Sequence, residues 1–406
     1  MTLALDVVER RDTTLVGPPF PEAEYDGRLD RIRAAMDGAD LDVLLITDPA
    51  NMNYATGYDA WSFYVHQVIA VTRDGRAPVW IGRASDVNGV PLTTHLSRSC
   101  AVGYPETCIE SVDDHAFRFI GRWLESEDFA GARVGVEMEA YYYTARCHAM
   151  LGAALPNATL VDATGLVNRV RLVKSDAEIA LIRQAGEIVE RAMQVAVDTI
   201  APGVRQNDAA AAILHAQVTG TDAFGGDYAS IVPMLPTGIG SGAPHLTWSD
   251  GPFNEGEATI IEIAGCRRRY HCPLARTLFL GTPPPNVRDT EAAVVEGVAA
   301  ALDAARPGAM AEDVEAAWRK SVAKWGVVKE SRLGYSIGIN YPPDWGEHST
   351  SLRPGDKTVL ARNMTFHLMP GLWFEDWGIE ISQPFRVTET GAEPLTGFPR
   401  ALVVKD

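Results

Sequence analysis

Two short motifs contain residue types that often bind phosphate or metal. The run Gly238 to Gly242 has glycine at every second position, but no helical pattern follows it and Pro244 would break one, so a phosphate would lack a helix N-terminus. Cys266, His271 and Cys272 offer zinc-ligand atoms, but their spacing on two predicted strands differs from that of structural zinc sites. We therefore predict neither a dinucleotide site nor a zinc site here, and we expect both thiols to be packed in the core.

The segments 260–265 and 271–277 carry the most informative pattern in the chain. They resemble the paired strands of the creatinase/aminopeptidase P, or pita-bread, family, in which an aspartate on each strand binds a pair of metal ions. In this chain the two aspartate positions hold Glu262 and Pro273. Three neighbouring positions keep the residue of the family: Gly265, Arg276 and Thr277.

The same resemblance locates the three remaining metal-ligand positions of that family. They hold Tyr335 in place of a histidine, and Met369 and Ser382 in place of glutamates. Hard divalent cations need several oxygen or imidazole ligands, and of these positions only Glu262 keeps a carboxylate. We therefore predict no dinuclear metal centre and no cofactor.

The creatinase branch of the family also lacks metal and works through a histidine and two glutamates. The resemblance places these catalytic residues on His245, Glu262 and Glu380. Two carboxylates can accept the coplanar N–H groups of an amidinium or guanidinium in charge-assisted hydrogen bonds. His245 would move protons, and Glu262 would either bind the amidine or attack its carbon. Structural roles stay open as well, including an ion pair between a glutamate and Arg276.

Longer strings narrow the resemblance to the ectoine hydrolases, over residues 25–405. The strings are Gly57–Gln67, Gly225–Tyr228, Ala243–Trp248, Tyr341–Glu347, Gly371–Trp373 and Glu375–Trp377. The resemblance implies a hydrolase that opens the cyclic amidine ring of ectoine to an N-acetyl-2,4-diaminobutyrate, with 5-hydroxyectoine as a further candidate substrate. Three alternatives stay open: a creatinase-like hydrolase of another amidine or guanidine, a metal-dependent prolidase or aminopeptidase, and a ligand-binding protein without activity.

Aromatic and acidic residues of these strings are candidates for substrate binding. Ring faces and carboxylates together attract a delocalised cation, although packing in the core is the better explanation for any single aromatic residue. The resemblance also implies a homodimer in which the loop 61–66 of one subunit covers the active site of the other, and a deacetylase as a functional partner. The predicted substrate-binding residues are Trp61, Tyr64, Asp227, Tyr335 and Trp377.

The elements that must position these residues follow from hydrophobic periodicity. Short apolar runs at 41–46, 68–71 and 78–81 predict strands of an α/β domain. A capping box at 175–178 predicts the start of a long helix that ends before Pro202. We expect a creatinase-type α/β N-terminal domain over residues 1–165 and an α+β pita-bread catalytic domain over residues 166–406.

Composition is consistent with a two-domain globular protein of 406 residues. The 36 basic and 53 acidic residues give a net charge of -17, which disfavours nucleic acid and anionic membranes as partners. The five cysteines form no C-x-x-C pair, which indicates a reducing compartment. Residues 1–11 lack a signal-peptide pattern, and no apolar run approaches about 18–20 residues. We therefore expect a cytoplasmic protein.

Overall fold

The computed structural model describes residues 17–405, which form two structural units divided between Val170 and Arg171. The expectation for residues 1–11 lies outside the described range. No helix within 17–405 has the length and apolar character needed to cross a membrane.

The first unit is an α/β domain built on a six-stranded sheet of order β4-β3-β2-β1-β5-β6. Strand β1 pairs antiparallel with β2 and parallel with β5, so the sheet is mixed. The predicted apolar runs form β1, β2 and β3. The elements are α1 (Glu22–Gly38), β1 (Val43–Ile46), α2 (Pro49–Thr56), β2 (Val68–Thr72), β3 (Val79–Arg83), α3 (Val90–Thr93), β4 (Ala101–Tyr104), α4 (Ala116–Ser126), β5 (Arg133–Val136), α5 (Ala145–Ala154), β6 (Thr159–Asp162) and α6 (Leu166–Val170).

The second unit contains the long antiparallel hairpin β7–β8 and a five-stranded sheet of order β10-β9-β11-β14-β15. Strand β16 adds to β8, and β12 and β13 pair separately. The elements are α7 (Asp176–Thr199), α8 (Gln206–Thr219), β7 (Ala258–Arg267), β8 (Tyr270–Leu280), α9 (Pro285–Ala304), α10 (Ala311–Val322), β9 (Gly334–Ile337), β10 (Gly346–Leu352), β11 (Thr365–Leu368), β12 (Leu372–Trp373), β13 (Gly378–Ile379), β14 (Gln383–Val387), β15 (Ala392–Pro394) and β16 (Val403–Lys405).

Helix α7 starts at the predicted capping box. The Ser175 side chain accepts a hydrogen bond from the Glu178 backbone N–H, and the Glu178 carboxylate accepts one from the Ser175 N–H at 2.8 Å. The helix packs directly on β7. The approach is so close that a Cβ atom at Gly265 would collide with the Ala185 carbonyl oxygen. Glycine at this position therefore lets the helix support the strand that carries Glu262.

Packing accounts for the two cysteines of the hairpin, as the sequence predicted. Cys266 and Cys272 form no disulfide and are fully buried, each with 0% exposure. They pair across β7 and β8 with His271 and Gly265 respectively. His271 is itself fully buried and hydrogen-bonded through Nε2 to Ser230.

Candidate active site

Glu262 and Glu380 are held on neighbouring strands of the second unit. Glu262 lies in β7, where its backbone exchanges two hydrogen bonds of 3.0 Å with Met234. Glu380 follows β13, and its backbone N–H donates to the Thr277 Oγ1 on β8 at 2.7 Å. The Thr277 hydroxyl donates back to the Glu380 carbonyl at 3.1 Å. The main chain around both carboxylates is therefore fixed.

The two carboxylates are buried, and burial raises the pKa of both. Burial raises the pKa of Glu262 well above its ordinary value, and the negative charges of Glu380 and Asp344 raise it further. Burial raises the pKa of Glu380 to about 7, against the opposing effects of Lys329 and Arg276. The Glu380 Oε1 atom is buried and has no hydrogen-bond partner in the described chain. A planar cation with N–H donors would satisfy this oxygen and relieve the repulsion.

Two of the residues at the metal-ligand positions of the resembled family, Tyr335 and Ser382, belong to a hydrogen-bond chain. The Trp345 indole N–H donates to the Tyr335 hydroxyl at 2.6 Å. The Tyr335 hydroxyl lies 3.1 Å from Nδ1 of His367, and Nε2 of His367 lies 2.8 Å from Oγ of Ser382. Ser382 Oγ also accepts the backbone N–H of Ala275 at 2.7 Å. Ala275 pairs with Glu262 across the hairpin, so the chain ends beside the candidate site.

These side chains do not fit a pair of divalent metal ions. Pro273 offers no side-chain donor atom, and it faces Ala264 across β7 and β8. Met369 packs against a buried apolar cluster that includes Met234 and Trp345. A dinuclear centre needs several anionic oxygen or imidazole ligands, and only Glu262 supplies one from the five positions.

His245 lies on a loop that is connected to the strands of both glutamates. Leu235, next to the Glu262 partner Met234, donates its N–H to the Thr247 carbonyl at 2.8 Å. Earlier in the same segment, Ser241 Oγ accepts the Gly378 N–H at 3.1 Å, two residues before Glu380. The His245 side chain is exposed to solvent. These contacts hold the loop of His245 against the segments that carry both glutamates, and the catalytic role of its imidazole stays a prediction.

Two of the predicted substrate-binding residues belong to this unit and lie near the glutamates. Tyr335 is buried, and the charge of Glu262 contributes to the raised pKa of its phenol. Trp377 is half-buried immediately before β13, and its ring stacks on Phe374 with 4.4 Å between centroids. The antiparallel pairing of β9 with β11 positions Tyr335, and that of β12 with β13 positions Trp377.

Asp227 also belongs to the second unit, but it lies at the turn of the β7–β8 hairpin and has a structural partner. Its carboxylate accepts the Arg268 backbone N–H at 2.5 Å and lies 3.6 Å from Nη2 of Arg269, at the turn of the β7–β8 hairpin. Its own N–H donates to the Cys266 carbonyl. Cys266 is four residues along the strand from Glu262, or roughly 13 Å. Asp227 therefore fixes the hairpin turn.

Trp61 and Tyr64 belong to the first unit. Their side chains are 57% and 66% exposed. The Trp61 ring contacts Phe63 at 4.8 Å between centroids, and the Tyr64 hydroxyl accepts a hydrogen bond from Arg83 at 3.2 Å. Large exposed aromatic rings on one loop are typical of a surface that becomes covered by a ligand or another chain.

The structure adds Lys329, which the sequence analysis did not identify. Its ammonium donates to the Gly371 carbonyl at 2.9 Å and lies 4.8 Å from the centroid of the Trp373 ring. Burial lowers its pKa to about 8, while the charge of Glu380 opposes this change. Lys329 lies on an irregular segment before β9, and this segment has no periodic pattern from which a functional residue could be predicted. It provides a positive charge close enough to Glu380 to lower the pKa of that carboxyl group.

A separate cluster in the first unit contains metal-ligand atoms but does not present three free lone pairs. Ligand atoms of His66, His115 and Cys147 lie within 4.8 Å of one another. Nδ1 of His115 accepts the Phe117 backbone N–H at 3.1 Å and caps helix α4. A neutral imidazole that accepts through Nδ1 carries its hydrogen on Nε2, so Nε2 cannot also bind a metal. The cluster is therefore explained by packing and capping.

Comparison with known proteins agrees with both units. The model of the creatinase/prolidase N-terminal domain matches residues 28–173, and that of metallopeptidase family M24 matches residues 180–389. The chain belongs to metallopeptidase family M24. An uncharacterized hydrolase/peptidase of Sinorhizobium fredii, y4tM, is 50% identical over 95% of this chain and 99% of its own length. The ectoine hydrolase of Halomonas elongata is 44% identical over 96% of this chain and 99% of its own length.

Solved structures of the family share the fold. Dipeptidase PepE from Mycobacterium ulcerans has a TM-score of 0.79 at 25% identity and covers 95% of this chain and 99% of its own. The prolidase from Pyrococcus horikoshii has a TM-score of 0.77 at 20% identity and covers 93% and 100%. The predicted α/β plus pita-bread fold is confirmed, and the family and its relatives make the chain a hydrolase of C–N bonds.

Proposed function

We propose that this protein hydrolyses the cyclic amidine of ectoine without a metal ion. The observation that carries the proposal is a pair of buried carboxylates, one with an unsatisfied oxygen, at a site whose other ligand positions have lost their metal donors. The 44% identity with an ectoine hydrolase supports ectoine as the amidine substrate. A protonated amidine supplies the positive charge and N–H donors that these carboxylates lack.

In the proposed reaction, Glu380 accepts an N–H of the ring and holds the amidinium carbon beside Glu262. In one route, Glu262 attacks this carbon, the resulting tetrahedral carbon expels one ring nitrogen, which takes up a proton, and water then hydrolyses the imidate ester of Glu262 to the amide and the free carboxylate. In the other route, Glu262 deprotonates a water molecule that attacks directly, and the tetrahedral carbon expels one ring nitrogen, which takes up a proton. His245 delivers this proton from the solvent side, and the product is an N-acetyl-2,4-diaminobutyrate. The same site would accept 5-hydroxyectoine if its hydroxyl group is left in solvent.

The assembly of the protein is part of the proposal. We propose a homodimer in which the exposed loop with Trp61 and Tyr64 covers the active site of the partner subunit. Their exposure of 57% and 66% supports a covered surface of this kind. We place the enzyme in the cytoplasm because none of its five cysteines forms a disulfide, and we expect a deacetylase to consume the acetylated product.

Steady-state kinetics with a small substrate panel test the proposed function. We expect kcat/KM to be highest for ectoine, lower for creatine and negligible for an Xaa-Pro dipeptide. A preference for creatine would assign the site to guanidines instead. Turnover of none of these compounds, together with tight binding of ectoine, would identify a ligand-binding protein.

Metal removal is expected to leave the activity unchanged. Pro273, Met369 and Ser382 supply no anionic ligand set, so dialysis against a chelator should remove no catalytic group. The measurement is elemental analysis of the purified protein combined with ectoine hydrolysis before and after chelation. Stoichiometric zinc, manganese, iron or cobalt, with activity that is lost on chelation and restored by the metal, would contradict the proposal.

Glu380→Gln is expected to weaken substrate binding and to change the pH dependence. A charge-assisted hydrogen bond contributes about 1.5–3 kcal/mol, so KM should rise about tenfold or more. Because the pKa of Glu380 is raised to about 7, protonation competes with the amidinium, and kcat/KM of the wild type should fall as the pH drops below about 7. This fall should be weaker in the variant.

The contribution of Glu380 to the stability of the fold should have the opposite pH dependence to kcat/KM, falling as the pH rises. A carboxyl group whose pKa is raised on folding stabilises the folded state below its ordinary pKa, and this stabilisation is lost as the pH rises through about 7. Ligand-free Glu380→Gln should therefore melt at a higher temperature than the wild type at pH 8 and not at pH 4.5. Glu255→Gln, an exposed glutamate before β7, is the control and should change neither property. An unchanged KM for Glu380→Gln would remove Glu380 from the site.

A further inference from the structure

Four side chains beside the candidate site share a set of hydrogen atoms that can be arranged in two ways. Trp345, Tyr335, His367 and Ser382 are 1%, 6%, 0% and 0% exposed. They form one chain of hydrogen bonds between 2.6 and 3.1 Å. His367 is neutral, since burial lowers its pKa to about 3. A neutral imidazole has one N–H and one lone pair, so the tautomer of His367 fixes the direction of the chain.

In the first arrangement, His367 carries its hydrogen on Nε2. Tyr335 then donates to Nδ1, and Ser382 Oγ accepts from both Nε2–H and the Ala275 N–H. The serine hydroxyl hydrogen would need a third partner, but Oγ has no other hydrogen-bond partner among residues 17–405. Ser382 is fully buried, so this hydrogen would remain unsatisfied in the protein interior. That costs the desolvation energy of a hydroxyl group.

In the second arrangement, His367 carries its hydrogen on Nδ1. Ser382 then accepts from the Ala275 N–H and donates its own hydrogen to Nε2, which satisfies the serine completely. Tyr335 accepts from both Trp345 Nε1–H and His367 Nδ1–H, so both lone pairs of its oxygen are occupied. Among residues 17–405, one hydroxyl hydrogen again lacks an acceptor, that of Tyr335. The two arrangements differ in where this hydrogen lies, because Ser382 is 0% exposed whereas Tyr335 is 6% exposed, so a water molecule or a bound substrate can reach the tyrosine hydrogen. This hydrogen lies on the side chain whose pKa responds to the charge of Glu262.

We infer that the chain adopts the second arrangement, and that Tyr335 is a dedicated hydrogen-bond donor to the oxygen that adds to the substrate carbon. His367 and Trp345 are positioning residues, because they act by occupying the acceptor sites of the phenol oxygen. No proton leaves the phenol. The inference rests on the proposed function, since it assigns Tyr335 to the tetrahedral carbon formed from the amidine.

The tautomer of His367 tests the hydrogen-bond chain without substrate. Histidine labelled with ¹⁵N distinguishes a protonated from an unprotonated ring nitrogen by its chemical shift, and a His367 variant assigns the signal. We expect protonated Nδ1 and unprotonated Nε2 in the ligand-free wild type. The opposite tautomer would overturn the inference whether or not the protein hydrolyses ectoine.

Kinetics of matched variants test the role of the donor. Tyr335→Phe should lower kcat for ectoine by about a hundred- to a thousandfold, the usual effect of removing a donor to an oxygen that becomes anionic, with little change in KM. Here the added oxygen becomes anionic as it loses its proton and the tetrahedral carbon collapses to the amide. His367→Asn places an amide N–H near the position of Nδ1, whereas His367→Gln places its amide near Nε2. The asparagine variant should therefore keep more of kcat than the glutamine variant. Tyr335→Phe with His367→Gln should be little slower than Tyr335→Phe alone, because both remove the same interaction.

A second tyrosine–histidine pair supplies the control. The Tyr143 hydroxyl lies 3.1 Å from Nδ1 of His148 in the first unit, and Tyr143→Phe should leave kcat unchanged. If the wild type hydrolyses ectoine and Tyr335→Phe matches it in kcat, the inference fails and the proposed function stands. Equal kcat for the two His367 variants would also overturn it. A wild type that does not hydrolyse ectoine would refute both the proposed function and the catalytic role of Tyr335, and the tautomer measurement would still decide the chain.

Discussion

Replacement of Glu262 by glutamine is expected to lower kcat for ectoine by about a hundred- to ten-thousandfold, the usual cost of losing an acid, base or nucleophile. The amide keeps the shape of the side chain but can neither attack the amidine carbon nor accept a proton from water. Because burial and the nearby charge of Glu380 raise the pKa of Glu262, the neutral amide should also stabilise the ligand-free fold at pH 8. The measurements are steady-state kinetics and thermal unfolding of the same preparation.

His245 is the partner in this experiment. His245→Ala should also lower kcat, and the variant without either group should be little slower than the poorer single variant, since residues that act on one step are not additive. If Glu262 is the nucleophile, slow His245 variants should accumulate protein that is heavier by one substrate in quenched mass spectrometry. Full activity of Glu262→Gln would contradict its assignment. Normal activity of His245→Ala would show that solvent, and not His245, delivers the proton.

Loss of the buried ion pair around Glu347 is expected to have the largest effect on stability. The Lys174 ammonium donates to Glu347 Oε2 at 2.5 Å, and Nη1 of Arg171 lies 3.6 Å from Oε1. Both members of the first pair have side chains only 1% exposed. Glu347→Ala would leave the lysine charge uncompensated in the interior, and removal of one partner of a buried pair costs about 3–5 kcal/mol.

Chemical denaturation measures this cost as the free energy of unfolding. The control is Glu106→Ala, which breaks an ion pair of 2.6 Å with Arg83 in which the glutamate is 65% exposed, and which should cost less than about 1 kcal/mol. Equal effects of the two variants would contradict the role assigned to burial. Glu347 follows Trp345 by two residues, so the folded fraction of Glu347→Ala should also show a reduced kcat.

The sequence predicted the parts of the structure that depend on local pattern. The capping box predicted the start of α7, and apolar alternation together with the family signature predicted the hairpin that carries Glu262. The substitutions at Pro273 and Ser382 were also evident from the sequence once the family was recognised.

The parts that the sequence did not predict depend on pairing between distant strands. His367 becomes functional only because β11 pairs with β9 and places it opposite Tyr335, a register that no local motif specifies. Lys329 gains its role from the Gly371 carbonyl, which lies 42 residues away in the chain. Asp227 was predicted to bind substrate from a short string, and the string did not predict its contacts at the hairpin turn. Its role in substrate binding stays a prediction, because a carboxylate can serve both roles.

The most direct test of metal-independent ring opening is ¹H NMR of ectoine incubated with chelator-dialysed protein whose metal content has been measured. We predict that the ring signals of ectoine disappear and that those of an N-acetyl-2,4-diaminobutyrate appear at the same rate, while creatine in a parallel sample changes far more slowly. Unchanged ectoine, in a sample that regains hydrolysis when a divalent metal is added, would contradict the account.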